Sequence, residues 1–550
     1  MTKTIISERF RSVFVASLAS MSISYILILT DNTVAGRLIG DEAVAAMTLI
    51  TPIVTFIIFL SYMVADGLAM MFAYAKGKND RTKANELFSM GITVSVVTGA
   101  LVTVILILFQ DEILSMWEIS PHLMNHARDY YHGLMFIALP CVLNIYFYTI
   151  YVAEGEENIC VKASGAMFIV NIILDIVLGY FFGVIGIGIA TTIGNLVSFL
   201  YHVPYLFSKD CQLQFISYWD GREMWQGIFY SWYHSMDTLY LALLPVIFSE
   251  FVIFQFGEQY LIIVTIIINM FTLLITIYTG IVDCLQPMVC QYHAENAQHS
   301  VQKTMSLAIK ATLIVTIILI VFSFAFAELL PWMFGVGREE QTYFESIFAV
   351  RVFMPFTLFL GVTLMISNYY IYIERLNLGA VIKTLLLLIL PSAGLVTGFL
   401  GLRFLWAGVG FAFIVTLFFN WLITRNKFGL LLIDKRELEQ QFSFDTSNAP
   451  ENLSTLITEL KKYFATVDID DKQKNFLTQA VEKIFNVYAA RKDNFQMEVS
   501  VLPAADSTTL IFRENGAPEN PLESLGRFFD DVREKNYLIS GDENKFVVVV

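Results

Sequence analysis

The sequence has few charged residues, few cysteines and no excess of basic side chains. Only 15% of its 550 residues are Asp, Glu, Lys or Arg, against about 25% in soluble proteins, so this deficit points to a lipid environment. The formal net charge of −14 excludes nucleic acid as an expected partner. The five cysteines have no CxxC or zinc spacing. We therefore expect them to pack as small apolar residues, and we expect no metal site and no organic cofactor.

Long apolar runs fill most of the chain instead. Hydrophobic residues make up 56% of the sequence, and the mean hydropathy is +0.63. Runs of about 20 apolar residues can cross a bilayer as helices, and these runs lack the period-two alternation of barrel strands. The sequence therefore predicts an all-α polytopic membrane protein, with the lipid bilayer as a partner, and twelve transmembrane helices. Their predicted cores are residues 12–31, 45–74, 88–110, 130–153, 163–182, 186–206, 226–252, 260–290, 305–329, 345–372, 378–400 and 404–424.

Basic residues in alternate loops set the predicted orientation. Loops rich in Lys and Arg stay on the cytoplasmic side of a membrane, and Asp111 and Glu112 mark a loop on the opposite side. We therefore expect a multi-pass protein of the inner membrane with both termini in the cytoplasm. The basic residues behind this prediction are Arg9, Arg11, Lys76, Lys78, Arg81, Lys83, Arg375, Arg425, Lys435 and Arg436.

The sequence contains an internal repeat. DGLAMMFAYAKGKND at residues 66–80 aligns with DCLQPMVCQYHAENA at residues 283–297, an offset of 217. This match predicts two six-helix repeats, one in residues 1–215 and one in residues 222–430. Repeats of this kind are common in transporters, where the substrate site forms between the two halves near the midplane of the membrane.

The composition changes after the last apolar run. Residues 431–550 carry frequent charges and have no membrane-length run. LSTLITELKKYF and NFLTQAVEKIFNVYAA predict amphipathic helices, whereas FQMEVSVL, TTLIFR and NKFVVVV predict strands. About 120 residues suffice for a separate domain. We therefore expect a small cytoplasmic α+β domain.

Two aspartates lie in or beside apolar runs, where a charge is costly. Asp31 ends the first run, so it lies either at the water interface or in a polar cavity. Asp175 lies inside the run NIILDIVLGYFF, with Asn171 one turn earlier on the same helix face. A structural hydrogen bond between helices is the alternative to a functional role for Asp175.

Several stretches resemble the multidrug and toxic compound extrusion (MATE) transporters. The half-repeats and the stretches TDNTVAGRLIG, GLAMMFAYAKGKND and NIILDIVLGYFFGVIGIGIAT carry this resemblance over residues 1–430. The resemblance implies twelve helices in two lobes around a central cleft. It also implies a secondary antiporter rather than an enzyme, exporting cationic or amphipathic small molecules in exchange for protons or sodium ions.

The same resemblance implies an ion-coupling site. Asp31 matches the family's first-helix aspartate, Asn171 and Asp175 match its fifth-helix pair, and Thr191 matches its sixth-helix threonine. Two neighbouring buried carboxylates resist double ionisation and titrate as a unit. A coupling ion and a cationic substrate that compete for them give exchange by alternating access.

The second half offers a weaker candidate. Asp237 stands where sodium-coupled members of the family carry an acidic residue, but Gly361 occupies the place of their tenth-helix acid. His234 is close to Asp237 in the sequence. It is either a proton relay or a packing residue.

Asp66 and Asp283 occupy equivalent positions in the two repeats. Both are candidates for gating the cytoplasmic mouth. Capping of a helix end or ion pairing with Lys76, Lys78 and similar residues is the favoured expectation.

The tail resembles GHKL-type ATPase domains of the anti-sigma-factor kinase kind over residues 450–550. Glu482 and Asn486 match the family's catalytic Glu and Mg-binding Asn, while Glu514 replaces the Asp of the adenine-reading segment that ends here in Gly516. No glycine-rich lid follows to supply backbone N–H groups to phosphates. We therefore favour a degenerate module that regulates transport or binds a cytoplasmic protein.

Two alternatives to antiport remain at this point. A flippase for lipid-linked saccharides would use basic residues to bind pyrophosphate, and Lys310, Arg351, Lys383 and Arg403 are the candidates. A membrane sensor with a regulatory kinase-like tail is the other alternative. The sequence has no Walker A motif, which disfavours ATP-driven transport.

Overall fold

Long helices form the chain up to residue 424, and a small sheet domain follows them. The computed structural model describes residues 4–115, 121–209, 211–334, 336–426, 429–467, 469–504, 507–540 and 543–550. In these residues, 11 helices are long and apolar enough to cross a membrane, and the number is 12 if one bent pair counts as a single span. The protein is therefore a multi-pass membrane protein, in agreement with the predicted fold class.

What we call the first half is residues 4–209, and its described part, 4–115 and 121–209, contains eight helices. The bent pair is α5 and α6, whose axes differ by 53° across a break that precedes Pro140. Proline is tolerated in the first turn of a helix, where its missing N–H costs nothing. The helices are α1 (Ile5–Leu38), α2 (Asp41–Gly77), α3 (Arg81–Leu108), α4 (Gln110–Leu114), α5 (Pro121–Leu134), α6 (Ala138–Glu154), α7 (Glu157–Phe182) and α8 (Val184–His202).

In the described residues of the second half, 221–334 and 336–424, there are nine helices. Two of its spans are irregular near prolines: a 3₁₀ turn with Pro355 joins α13 to α14, and a π-helical turn over Leu385–Ile389 precedes Pro391. Proline removes a backbone donor, which explains the local change of winding. The helices are α9 (Gly221–Phe256), α10 (Leu261–Ala294), α11 (Gln298–Ala325), α12 (Leu329–Met333), α13 (Gln341–Phe353), α14 (Thr357–Tyr372), α15 (Leu376–Thr384), α16 (Leu390–Gly394) and α17 (Leu402–Thr424).

The loops of the two halves share unusual backbone conformations at a constant spacing. Four pairs of residues with positive φ are 217–219 positions apart, close to the offset of the sequence repeat. A positive φ is uncommon outside glycine, so its recurrence at equivalent turns supports the predicted two-repeat layout. The pairs are Gly40 with Gly257, Asn79 with Asn296, Gly155 with Glu374, and Gly183 with Gly401.

The tail contains a five-stranded antiparallel sheet in the order β1-β2-β3-β5-β4. One face packs against α19 and α20 through alternate apolar residues such as Val499, Phe512 and Phe546. The other face, described below, contacts the membrane helices. The elements are α18 (Lys435–Glu439), β1 (Phe442–Ser447), α19 (Asn452–Phe464), α20 (Asp471–Ala489), β2 (Gln496–Pro503), β3 (Thr508–Glu514), α21 (Leu522–Leu525), β4 (Glu534–Ser540) and β5 (Glu543–Val549).

The halves approach each other closely where α2 meets α9. The backbone N–H of Gly67 donates a hydrogen bond to Ser231 Oγ on α9 at 2.6 Å. A Cβ atom added to Gly67 would lie 1.8 Å from the carbonyl oxygen of Gly227 on α9. Such a contact with backbone cannot be relieved by turning a side chain, so the helices must separate if Gly67 is enlarged.

We predict that Gly67→Ala destabilises the protein. Overpacking typically costs about 1–3 kcal/mol, and the thermal midpoint in detergent should fall. Gly165→Ala on α7 is the control, because a Cβ atom there meets nothing within 4 Å and alanine favours a helix. Equal midpoints for the two variants would contradict this account of the interface.

Candidate functional site

Asp31, Asn171 and Asp175 form a buried polar cluster between α1 and α7. Asp31 is 6% exposed and Asp175 is fully buried. With its nitrogen turned toward the carboxyl groups, the Asn171 amide donates to Asp31 Oδ1 at 2.9 Å and to Asp175 Oδ2 at 3.0 Å. The four-residue spacing places Asn171 and Asp175 on one face of α7, and both therefore lie beside Asp31 of α1.

The carboxyl groups of Asp31 and Asp175 are also close neighbours. The Asn171 amide bridges them, and Thr191 on α8 lies beside Asp31. Two carboxyl groups this close in a buried site resist double ionisation. Asp175 Oδ1 has no hydrogen-bond partner in the described part of the chain. The cluster thus combines two neighbouring acidic groups with an acceptor oxygen left free.

The interfacial alternative for Asp31 does not fit the structure. Helix α1 continues to Leu38, about two turns beyond Asp31, instead of ending near residue 31. The apolar run ended early because polar residues follow Leu29. Of these, Asp31 and Asn32 line the cavity described below, whereas Thr33 is exposed. Tyr130 on α5, which sequence reasoning missed, lies beside Thr191 and the two carboxyl groups.

A cavity of about 510 Å³ adjoins this cluster inside the first half. Asp31, Asn171 and Thr191 line it together with apolar and aromatic side chains of α1, α2, α5 and α6, including Met47 and Tyr130. A volume of this size accommodates a drug-sized molecule. The Asp31 carboxyl group therefore lies at the wall of a mainly apolar chamber, with Asp175 buried behind it, a setting suited to a cation with an apolar body.

Asp66 and Asp283 lie in a different place from the one expected. They line a cavity of about 210 Å³ between the halves, and ion pairing with Lys76 and Lys78 is not observed for them in the described residues. Asp66 Oδ2 lies 2.8 Å from His234 Nδ1, whereas Lys76 Nζ pairs with Glu154 Oε2 at 3.1 Å. The expectation of ion pairs at the helix ends was therefore wrong, because both aspartates lie more than two turns inside their helices.

His234 connects α2 to α9 and α14. Its Nε2 lies 2.8 Å from the Tyr372 hydroxyl, while its Nδ1 contacts Asp66. Asp283 Oδ2 is buried without a hydrogen-bond partner in the described residues. The imidazole thus joins a carboxylate of the first half to the second half, and it does not bond to its sequence neighbour Asp237.

Asp237 faces a buried lysine that sequence reasoning assigned elsewhere. Lys383 Nζ is 3.8 Å from Asp237 Oδ2, and it donates to Asn368 Oδ1 at 2.9 Å. An acid at position 361 has no room, since a Cβ atom on Gly361 would lie 2.7 Å from Thr312 Cγ2. The second half therefore has one compensated carboxylate here, in contrast to the paired carboxyl groups of the first half.

The basic residues considered for pyrophosphate binding do not converge on one cavity. Lys310 and Arg351 are exposed, Arg403 pairs with Glu345 at 2.9 Å, and Lys383 is buried beside Asp237. The arrangement gives no reason to favour a flippase.

The residues matched to a nucleotide site are only partly near one another. Glu482 and Asn486 are exposed on α20. Glu514 is buried, which raises the pKa of its carboxyl group, and it accepts from the Gly516 backbone at 2.6 Å and from Asn544 at 2.8 Å. Its oxygens are therefore engaged within the tail, and a nucleotide site stays a prediction.

Sequence reasoning also missed a charged interface between the tail and the membrane helices. Asp445, Glu498, Arg513 and Lys545 stand opposite one another across β1, β2, β3 and β5, so their side chains share one face of the sheet. Lys303 on α11 contacts Asp445 at 2.8 Å and Glu498 at 3.1 Å. Single charges within otherwise apolar strands were the available signal.

The charges at this interface keep the Glu498 carboxyl group ionised. Burial opposes ionisation, but the neighbouring Arg513 and Lys303 outweigh it and lower the pKa of Glu498 to about 2. A buried carboxylate of this kind stabilises the folded protein only while it is ionised.

Comparisons with known proteins find similarity to transporters. The sequence model of the MatE family matches residues 16–177. The chain is 26% identical over 183 residues to the multidrug export protein MepA of Staphylococcus haemolyticus (strain JCSC1435), covering 33% of this chain and 40% of MepA. It is 25% identical over 187 residues to the probable multidrug resistance protein YoeA of Bacillus subtilis (strain 168), with coverage of 33% and 40%. The match thus spans two fifths of the length of each curated relative.

Solved structures extend the likeness to the whole membrane part. A crystal structure of MATE in the bent conformation superposes with a TM-score of 0.70 at 21% identity, covering 76% of this chain and 95% of that one. A MOP superfamily transporter from Pyrococcus furiosus gives a TM-score of 0.71 at 20% identity, covering 78% and 97%. The membrane part therefore has the MATE transporter fold, and multidrug transporters are among the homologues of the chain.

We predict that acid weakens the tail through Glu498. The pKa of this group is depressed from 4.5 to about 2, so its stabilisation is present above pH 4.5 and is lost as pH falls toward 2. The shift corresponds to about 3 kcal/mol. Urea titration in detergent, followed by a fluorophore on the tail, measures the unfolding free energy from pH 6 to pH 3.

Glu498→Gln is the comparison for this titration. The variant should be less stable at pH 6, because Arg513 and Lys303 lose a buried counter-charge, and its stability should fall less on acidification. An unchanged slope with pH would show that Glu498 is not a source of the acid sensitivity.

Proposed function

We propose that this chain, with its MATE fold, is a secondary antiporter that exports cationic or amphipathic small molecules in exchange for an ion. The observation that carries the proposal is the buried Asp31–Asn171–Asp175 cluster at the wall of the 510 Å³ cavity. Intramembrane ionisable residues that face a cavity mark ion or substrate pathways. Thr191 completes the group.

In the proposed cycle, the cluster alternates between protonated and ionised forms. When a proton leaves the pair, the two carboxyl groups carry more negative charge in a low-dielectric site and attract a cation from the cavity. When a proton returns, that attraction is lost and the cation is released. The coupling ion in this proposal is a proton or a sodium ion.

The proposed substrate class follows from the cavity wall. Met, Ile and Tyr side chains offer an adaptable apolar surface, while Asp31 is the acidic residue of the lining. Small molecules with one positive charge and an apolar body suit this combination. Asp66, Asp283 and Asp237 surround the smaller cavity between the halves, and we assign them to gating and to the second half of the ion pathway.

The proposed orientation places the tail in the cytoplasm of a bacterial cell, with the protein in the inner membrane. Lys76 and Arg81 lie beside the tail, at the end of α2 and the start of α3, and Lys83 is in the first turn of α3. This concentration of basic residues is the pattern expected for a cytoplasmic face.

We predict that Asp175→Asn abolishes coupled export. The change keeps the size of the side chain but removes the acidic proton, so exchange driven by a proton gradient should fall about tenfold or more, each factor of ten corresponding to 1.4 kcal/mol. The measurement is efflux of a fluorescent cation from proteoliposomes, with proton and sodium gradients applied separately.

Asp111→Asn is the matched control, because the Asp111 side chain is 75% exposed and pairs only loosely with Arg128 at 3.3 Å. It should transport like the unmodified protein. Normal gradient-driven efflux by Asp175→Asn would refute the proposed coupling site.

A further inference from the structure

The tail is bonded to the first half of the membrane part. Arg9 Nη1 on α1 lies 2.5 Å from Glu543 Oε2 on β5, and Asn515 Nδ2 donates to Glu8 Oε2 at 2.7 Å. Both side chains of the Arg9–Glu543 pair are less than one tenth exposed. This contact is therefore shielded from water and held in a defined geometry.

The tail is also bonded to the second half, through charges of complementary sign. We call Asp445, Glu498, Arg513 and Lys545 on the sheet face the charged row. Glu295, in the turn between α10 and α11, contacts its two basic residues, Arg513 and Lys545, the latter at 2.8 Å. Lys303 contacts its two acidic residues, Asp445 and Glu498. The sheet face thus matches the pattern of charges on the second half.

Arg513 connects these two sets of contacts. It is fully buried, lies over the ring of Tyr292 on α10 and pairs with Glu295. Within the tail its Nε is 3.4 Å from Glu543 Oε1, and Glu543 is the residue that holds Arg9. A continuous chain of buried charges therefore runs from α1, through the sheet, to the turn between α10 and α11.

These contacts lie at the end of the molecule where the halves touch directly. Tyr74 on α2 donates to the backbone oxygen of Tyr372 on α14 at 2.8 Å. Gln291 on α10 accepts from Arg9 at 3.4 Å, and Lys83 binds Glu223 at the start of α9 at 2.7 Å. The tail therefore spans the seam between the halves at this end of the molecule.

We propose that the tail is a clamp that keeps this side of the transporter closed, so that its bonds to one half must break before the substrate path opens there. The sheet is bonded to both halves and moves as one body. When the halves separate it cannot stay bonded to both. The proposal rests on the proposed alternating-access function, because only that function requires the halves to part. In this role the tail regulates transport without binding a nucleotide.

A native cysteine reports on the seam. Cys290 on α10 is fully buried and lies beside Tyr74 on α2, so a thiol reagent reaches it only when the halves separate on this side. The protein is prepared in lipid nanodiscs with Cys290 as its sole cysteine, after Cys141, Cys160, Cys211 and Cys284 are changed to alanine. The measured quantity is the rate of maleimide labelling without substrate or ion gradient.

Two substitutions outside the tail loosen the clamp without touching the tail's own core. Glu295→Gln removes the partner of Arg513 and Lys545, and Arg9→Gln removes the link to the first half. Each should raise the labelling rate of Cys290 several-fold. Asp530→Asn, which removes an exposed ion pair with Lys535 inside the tail, should leave the rate unchanged.

Limited proteolysis of the same samples shows whether the tail has detached. Faster labelling with a detached tail supports the clamp, whereas unchanged labelling with a detached tail overturns it. Unchanged labelling with the tail still docked in both variants also overturns it, since these contacts then do not hold the tail. The assay needs no transport, so failure of the Asp175 coupling site would leave the labelling result interpretable on its own.

Discussion

The cost of removing a charge from water governs this structure. Inside a bilayer or a dry interface an isolated ionised group is strongly disfavoured, so it must be neutralised, paired or exposed to a cavity. Asp31 and Asp175 share the Asn171 amide, Asp66 contacts His234, Asp237 lies near Lys383, and Arg513 pairs with three carboxylates. The positions of the helices follow from satisfying these groups as much as from burying apolar surface.

The cost of burying a charge has opposite consequences in the first half and at the tail interface. In the first half the paired groups have the same sign, so the pair changes its charge when a proton or a cation arrives, and this makes it suited to exchange. At the tail interface the groups have opposite signs and stay ionised, as the depressed pKa of Glu498 shows. Such an interface holds elements together until a partner is removed, which fits a clamp rather than a binding site.

The sequence carried much of the fold and the core of the candidate site. Membrane-length apolar runs locate the spans, and the four-residue spacing of Asn171 and Asp175 places both on one face of α7, because helical geometry alone fixes that relation. The sequence did not indicate which distant segments are in contact. Asp66 was assigned to nearby lysines, whereas its partner His234 is 168 residues away in the chain. The charged row of the sheet depends on strand register and on docking, neither of which is a local property.

Proline and the ends of apolar runs explain the remaining differences. The run that ends at Leu29 suggested an end to the first helix, yet α1 continues to Leu38, and Asp31 and Asn32 line a cavity. Pro140 and Pro391 mark a bend and a change of winding whose extent the sequence does not define. Backbone hydrogen bonding near a proline is decided by the neighbouring helices.

The central claim is that substrate and proton compete for the Asp31–Asp175 pair. The most direct measurement is the number of protons released when a cationic substrate binds to the purified protein in weakly buffered detergent, read with a pH indicator. The account predicts release on binding by the unmodified protein and none by Asp175→Asn. Binding without release, or equal release by the variant, would contradict it.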